Sequence, residues 1–340
     1  MNFSEILTYW YSEQKRDLPW RSNKNPYCVW LSEIILQQTQ VNQGLPYYNT
    51  FIKHFPTVFD LAKAPENKVL KLWQGLGYYS RARNLHFTAQ YVVNELDGKF
   101  PTTYTNLIKL KGVGDYTASA IASICHEEPY AVLDGNVYRV LSRYFGIDTP
   151  INTTKAQKEF KTLAQSLLPK THIGDYNQAI MEFGATLCKP KAPLCKTCPL
   201  NSSCIALKEQ KVNALPVKLK KTKIKTRYFN YLVFIDSNKK TLIKQRNEKG
   251  IWKGLYEFPK IETNTSASYD DISSKIEDDN FSLSLFNEKE IIHKLSHQHL
   301  YTKFWIIEVD ILPETAVLVS KLHSYPVPVL IQNFIEGFNF

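Results

Sequence analysis

Nowhere in its 340 residues does the sequence hold the ~18 to 20 uncharged apolar residues in a row that a membrane-spanning helix requires. No secretory leader is expected either, since MNFSEILTYW places an acid where a signal peptide has basic residues. Cysteine is scarce, and four of the six crowd into positions 188 to 204 while Cys28 and Cys125 stand alone. That distribution disfavours a disulfide framework and suits a metal site in a reducing compartment. No repeat at a fixed period is visible. These absences lead to the expectation of a soluble, cytoplasmic protein with no membrane partner.

What is present is a globular composition, 44% apolar and 22% charged, in a chain long enough for two domains. Disordered and collagen-like chains are excluded. The formal charge of +10 is unevenly spread: seven Lys and Arg and no acid fall between 211 and 227, whereas 228–340 carries fifteen acids against twelve bases. The positive field lies in the first half and the basic stretch, which favours a polyanion as partner.

Positions 2–187 read as successive amphipathic helices with breaks at Pro26, Pro56, Pro65, Pro101 and Pro150. KEQKVNALPVKLKKTKIKTR, at 208–227, reads as a basic linker. From Tyr228 onward, runs such as RYFNYLVFID and LYTKFWIIEVDIL predict strands of an α+β domain over 228–340, with IETNTSASYDDISSKIEDDN as an exposed acidic insertion.

Cys188, Cys195, Cys198 and Cys204 follow the spacing C-x6-C-x2-C-x5-C, compact enough for four thiolates to converge. Structural zinc prefers paired cysteines two to four apart, so a cuboidal iron-sulfur cluster suits the spacing better; four unliganded thiols are the third reading. Lys189, Lys191 and Lys196 could offset thiolate charge or meet a phosphate backbone. In LKGVGDYTASAIAS, Gly112 and Gly114 predict a tight turn between two helices over 105–125, where glycines permit a positive φ. Amides at the start of the second helix could hold a phosphate, although a plain helical corner has the same signature.

With LDGNVYRV twenty residues later and the four-cysteine loop, this hairpin resembles the helix-hairpin-helix DNA glycosylases that carry an iron-sulfur cluster. WLSEIILQQTQV and GLGYYSRARNLH are similar to the adenine DNA glycosylases of the MutY type. The resemblance is dense over 1–207 and thinner beyond. It implies an all-α catalytic core with a [4Fe-4S] cluster on the four cysteines and a Nudix-like C-terminal domain. The implied activity is base excision repair: monofunctional removal of adenine opposite 8-oxoguanine, or guanine, in double-stranded DNA, by a monomer located at the bacterial nucleoid.

Cleaving an N-glycosidic bond needs a proton on the departing base and a negative group beside the cationic sugar. Glu33 sits among Trp30, Ile34 and Leu36, which could raise its pKa, although an exposed helical Glu is the commoner case. Asp134 could be a helix N-cap, a stabilising carboxylate, or both. The resemblance implies Glu33 as general acid and base, Asp134 as the sugar's stabiliser or covalent trap, and Asn136 as the group that orients Asp134. Tyr116 stands where lyase relatives of the endonuclease III type have a Schiff-base lysine. By the same resemblance Gln38 and Tyr78, with Gln37 adjacent, intercalate and fill the gap left by an expelled base, at an unstacking cost of a few kcal/mol. Arg21, with Trp20, could line the adenine pocket.

IWKGLYEFPK resembles the opening of a Nudix fold, but no acidic catalytic box follows, so pyrophosphatase activity is not expected. KLSHQHLY matches the family's lesion-reading loop and implies Ser296 and His297 as readers of 8-oxoguanine, with Leu295 where relatives often have Phe. Two other readings stand beside this one: a thymine-glycol glycosylase with lyase activity, opposed by Tyr116, and a catalytically idle DNA-binding protein, opposed by the presence of both acids.

Overall fold

A computed structural model describes residues 1–219, 224–276 and 281–340. The chain gathers into two compact units, Met1–Lys63 with Asn84–Lys220 and Ala64–Arg83 with Lys221–Phe340.

The first unit is helical. Its elements are α1 (Phe3–Gln14), α2 (Pro26–Leu36), α3 (Val41–His54), α4 (Val58–Lys63), the greater part of α6 (Ser80–Glu95), α7 (Tyr104–Leu107), α8 (Asp115–His126), α9 (Gly135–Phe145), α10 (Thr154–Ser166), α11 (Ile173–Thr186) and α12 (Ile205–Lys208). Helix α2 starts where the Asn25 side chain accepts from the Tyr27 amide, with Pro26 in the first turn, and every residue from Val29 to Ile35 is buried. A helix apolar on all sides has no outward face, so it becomes the unit's axis. Small residues of α8 (Ala118, Ser119, Ala120, Ala122, Ser123), all buried, let it approach α2 and α11 closely. Helix α11 lies against α1, α8 and α9 and completes the core.

The second unit holds α5 (Glu66–Leu72), α13 (Tyr269–Ser273), α14 (Val329–Gly337) and strands β1 (Lys225–Asp236), β2 (Lys240–Thr241), β3 (Lys244–Gln245), β4 (Tyr256–Glu257), β5 (Lys260–Thr263), β6 (Phe281–Leu285), β7 (Ile291–Lys294), β8 (Gln298–Val309) and β9 (Val317–Leu318). The main sheet runs β5-β1-β8-β6, with β7 on the other end of β8. Parallel β1 and β8 pair from Lys225 with Gln298 to Asp236 with Val309. Alternation sends Tyr231 and Phe304 to one face, where Phe304 stacks on Phe334 of α14 at 4.1 Å. Leu232, Trp305 and Ile307 point to the other, under Ala267 and Ile272.

Three expectations change here. Segment 64–83, helical and expected with the first domain, belongs to the unit of the C-terminal residues: Lys71 donates to the Tyr325 carbonyl at 3.2 Å and Asn67 to the Tyr256 hydroxyl at 3.4 Å. Local periodicity reports a helix and is silent about partners so distant in the chain. The stretch 261–280 is not simply an exposed insertion. Its start lies in β5, and Ala267 and Ile272 are buried against the sheet while Asp271 caps its own helix with Ser268; the density of acids conceals these apolar positions, and 277–280 lie outside the described residues. The basic linker is tied down before Lys220, since Ile151 donates to the Val217 carbonyl at 3.0 Å and Asn152 exchanges two hydrogen bonds with Leu219; 220–223 lie outside the described residues.

Candidate active site

A cleft of about 1910 Å³ opens in the helical unit, and Glu33, Tyr116, Asp134, Asn136, Arg21, Gln37, Gln38 and Gly114 all line it. Residues a hundred positions apart thus face one hollow, because α2, α8 and the start of α9 are neighbours in the core.

Glu33 projects from the buried axis of α2 and is 8% exposed. Burial pushes its carboxyl up to about 7 from an ordinary 4.5; the Tyr116 hydrogen bond restrains the rise, the negative charge on Asp134 adds to it, and Arg21 restrains it. The Tyr116 hydroxyl also lies 3.2 Å from the Met181 sulfur, and burial together with the two carboxylates holds its own pKa well above 10.

Asp134 is the N-cap of α9. Its Oδ1 accepts from the amides of Asn136 at 2.9 Å and Val137 at 2.8 Å, and its Oδ2 from the Asn136 side-chain amide at 2.7 Å. Burial raises this carboxyl, while those donors and Arg139 favour its charged form. The two readings open in the sequence, cap and stabilising carboxylate, are therefore compatible in one residue. Asn136 is itself held, its Oδ1 accepting from Arg139 Nη2 at 2.8 Å.

Around the rim, Gln37 ends α2 and donates to the Thr117 hydroxyl at 3.3 Å. Gln38 follows in the left-handed region, φ 56°, with its side chain exposed. In the hairpin between α7 and α8 only Gly112 uses the left-handed conformation, φ 80°, where an added Cβ would lie 2.8 Å from that of Asn84; Gly114 is extended, φ −94°, and caps α8. The expectation of positive φ thus holds for one glycine, and the other leaves bare backbone at the helix start. No atom lies within 4 Å of a Cβ built on Gly114.

Arg21 donates to Glu182 at 2.8 Å, and Arg16 to the same carboxylate at 2.6 and 2.8 Å. Glu182, Arg16 and Arg139 line the cleft and were missed in the sequence. The signal was thin: an acid in the apolar face of α11, and an arginine four residues into α9, buried among carbonyls of Gly135, Gly184 and Cys188.

The four cysteines follow α11 in the same unit. Burial raises the Cys198 thiol to about 11, and the charges of Cys188, Cys204 and Cys195 add to the rise, so all four are electrostatic neighbours. Among the described residues no three His, Cys, Asp or Glu side chains gather tightly enough to share one metal ion. Donors surround the sulfurs: amides of Leu200 on Cys198, of Ala206 and Leu207 on Cys204, and the Arg143 guanidinium 3.4 Å from Cys188 Sγ. Four neighbouring sulfurs with N–H donors aimed at them fit a cationic group bound through all four.

Tyr78, Ser296 and His297 lie in the second unit. Tyr78 is left-handed, φ 45°, and 48% exposed, and its hydroxyl donates to Ser296 Oγ at 3.4 Å. Ser296 and His297 form the exposed turn from β7 to β8, closed by the Leu295 amide on the Gln298 carbonyl at 2.9 Å. Among the described residues no helix is long and apolar enough to cross a membrane.

Residues 31–166 match the HhH-GPD superfamily base excision DNA repair protein family, and 230–337 match the NUDIX domain family. A solved structure of a thermostable thymine-DNA glycosylase superposes with a TM-score of 0.56 at 29% identity, covering 61% of this chain and 95% of that one. A non-covalent endonuclease III–DNA complex, TM-score 0.52 at 21% identity over 62% of this chain and 99% of that one, shares the fold. The adenine DNA glycosylase of Buchnera aphidicola subsp. Baizongia pistaciae is 38% identical over 90% of this chain and 86% of its own length. That of Homo sapiens is 46% identical over 60% of this chain and 39% of its own. The helical cleft, the NUDIX domain and these likenesses together make the chain a member of the adenine DNA glycosylases of base excision repair.

Proposed function

We propose that the protein hydrolyses the N-glycosidic bond of adenine mispaired with 8-oxoguanine, and of adenine opposite guanine, without cutting the strand itself. The observation that carries this reading is the pair of carboxyls on one cleft: Glu33, which keeps its proton to about pH 7, and Asp134, whose charged form is favoured by N–H donors from Asn136 and Val137. Two acids whose environments set them apart supply an acid and an anion at once. Neutral Glu33 gives its proton to a ring nitrogen of adenine as the bond to the sugar breaks. Ionised Asp134 stabilises the oxocarbenium or bonds to its anomeric carbon. Glu33, now a carboxylate, takes a proton from the water that attacks that carbon, and the cycle closes with the acid restored.

Asn136 orients Asp134, and Tyr116 hydrogen-bonds Glu33 without offering an amine, which suits a monofunctional enzyme. The left-handed Gln38, with Gln37 behind it, and Tyr78 fill the space left by the expelled adenine, while Arg21 borders the base. Gly112, Gly114 and the start of α8 hold a phosphate. Ser296, in hydrogen-bond reach of Tyr78, and His297 read 8-oxoguanine. Cys188, Cys195, Cys198 and Cys204 would hold a [4Fe-4S] cluster, which would serve as a structural cross-link. The protein acts as a monomer on duplex DNA at the nucleoid.

The test is a set of duplexes with adenine opposite 8-oxoguanine, adenine opposite guanine, or thymine glycol, each with and without alkali. Adenine release with breakage only after alkali is expected, and Glu33→Gln should slow it by about 10³-fold with duplex binding nearly unchanged. Strand breakage without alkali would overturn the monofunctional reading, and near-normal turnover of the variant would remove Glu33 from its role. A brown protein containing iron and inorganic sulfide is expected on purification.

A further inference from the structure

Tyr78 sits on a loop held by two sets of side-chain contacts. Gly75, Gly77 and Tyr78 all have positive φ, at 101°, 72° and 45°, and a Cβ added at Gly77 would meet nothing within 4 Å. Such a stretch has many conformations of similar energy, so its shape comes from what grips it. Trp73 and Arg81 supply a grip from the same segment: Trp73 Nε1 donates to the Gly77 carbonyl at 3.0 Å, and Arg81 to the carbonyls of Leu76 and Gly77 at 3.2 and 3.3 Å.

The second grip comes from the far end of the chain through Gln74. Its amide nitrogen donates to Gln332 Oε1 of α14 at 2.6 Å, and its amide oxygen accepts from the Val327 N–H at 3.3 Å and from Lys71 Nζ at 3.1 Å. Lys71 itself donates to the Tyr325 carbonyl, and Gln332 is in turn steadied by Glu336 at 2.8 Å. A single half-buried amide at the base of the loop thus ties it to the segment entering α14, in the unit that also carries Ser296. Gln74 and Gln332 are not among the residues lining the cleft of Glu33 and Asp134.

We propose that Gln74 is a positioning residue for lesion specificity: with Gln332 and the Val327 amide it sets the height and direction of Tyr78, and so the Tyr78–Ser296 contact that meets the base opposite adenine. This rests on the reading of Ser296 and Tyr78 as the lesion-facing pair. Removing the clamp leaves the acid and the aspartate untouched, so it alters which opposing base is preferred more than the chemical step.

The experiment compares single-turnover rates opposite 8-oxoguanine and opposite guanine in the full-length protein for Gln74→Ala, Gln332→Ala, the double variant, Gln74→Glu and Ser296→Ala. Gln74→Ala is expected to lower the 8-oxoguanine to guanine ratio about fivefold. Its rate opposite guanine should stay within about twofold, because the cleft is unaltered. Gln332→Ala should act similarly and the double variant no more than either, since both break one contact. Gln74→Glu keeps the acceptor for Val327 and Lys71 but sets a carboxylate against Gln332 Oε1, and so should lower the ratio as Gln332→Ala does. If Ser296→Ala lowers the ratio and Gln74→Ala does not, the positioning role falls while the lesion reading stands. If Ser296→Ala leaves the ratio unchanged, the lesion reading falls and takes this inference with it. Equal loss on both substrates would mark Gln74 as merely structural, and a normal ratio in Gln74→Glu would overturn the Gln332 contact as the clamp.

Discussion

Two glutamates line the same cleft, both nearly withdrawn from solvent, and they titrate in opposite directions. Glu33 on α2 is 8% exposed and rises to about 7; Glu182 on α11 has a side chain 1% exposed and falls to about 2. Burial raises both. The difference lies in partners. Glu182 receives hydrogen bonds from Arg16 and Arg21 that outweigh the loss of water, whereas Glu33 has the Tyr116 hydrogen bond, a more remote Arg21 and the repulsion of Asp134. Depth in the protein therefore does not set the charge of a carboxyl; the balance of donors against neighbouring anions does. The cleft lining thus combines a fixed anion that organises arginines with a carboxyl that keeps its proton to about pH 7.

The largest effect should come from removing that anion. Glu182→Gln leaves two arginines beside a neutral amide, and because Arg16 is about a third exposed the expected loss is about 3 kcal/mol rather than the full cost of a buried orphan. Chemical denaturation measures this, and a loss below about 1 kcal/mol would mean that the pair is solvated and the contrast with Glu33 overstated. The pH dependence follows from the lowered pKa: the stabilisation is present above about 4.5 and disappears as pH falls toward about 2. Glu33 behaves in reverse. Its raised pKa means the fold favours the neutral form, so its cost is absent below about 4.5, grows as pH rises, and is complete above about 7. Glu33→Gln should be more stable than the parent by about 3 kcal/mol at pH 8 and equal to it near pH 4. A variant no more stable at pH 8 would show that the carboxylate is comfortable in its site.

What could be read in the sequence follows the same line. Glu33 was legible through the resemblance and its apolar neighbours Trp30, Ile34 and Leu36, against the commoner case of an exposed helical Glu; the burial of every residue from Val29 to Ile35 is what turns it inward. Asp134 was legible as a cap because the signal is local, an acid immediately before a helix start. Glu182 was not, for its partners Arg16 and Arg21 lie more than 160 residues away. The same holds for Gln74 with Gln332, 258 positions apart, and for the whole of 64–83, whose helix could be read but whose unit could not. Strands of two residues, such as β2, β3 and β4, are too short to show any alternation. Ile272 escaped because the acids around it dominate the local composition.

Tyr116 gives the smallest and sharpest test, since it touches the mobile proton without being the acid. Its hydrogen bond is the main influence holding Glu33 down against burial. Replacing it with Phe removes that donor and keeps the ring, so the carboxyl should rise further and the neutral, proton-donating form should persist to higher pH. The rate of adenine release, measured in single turnovers from pH 5 to 9, is expected to fall through about 7 in the parent and about half a unit higher in Tyr116→Phe. A shift in the other direction would mean that the hydroxyl supports the neutral acid instead, accepting its proton. In that event Tyr116 would belong with the groups that keep Glu33 protonated, and the contrast between the two glutamates would owe less to donors than to the field of Asp134.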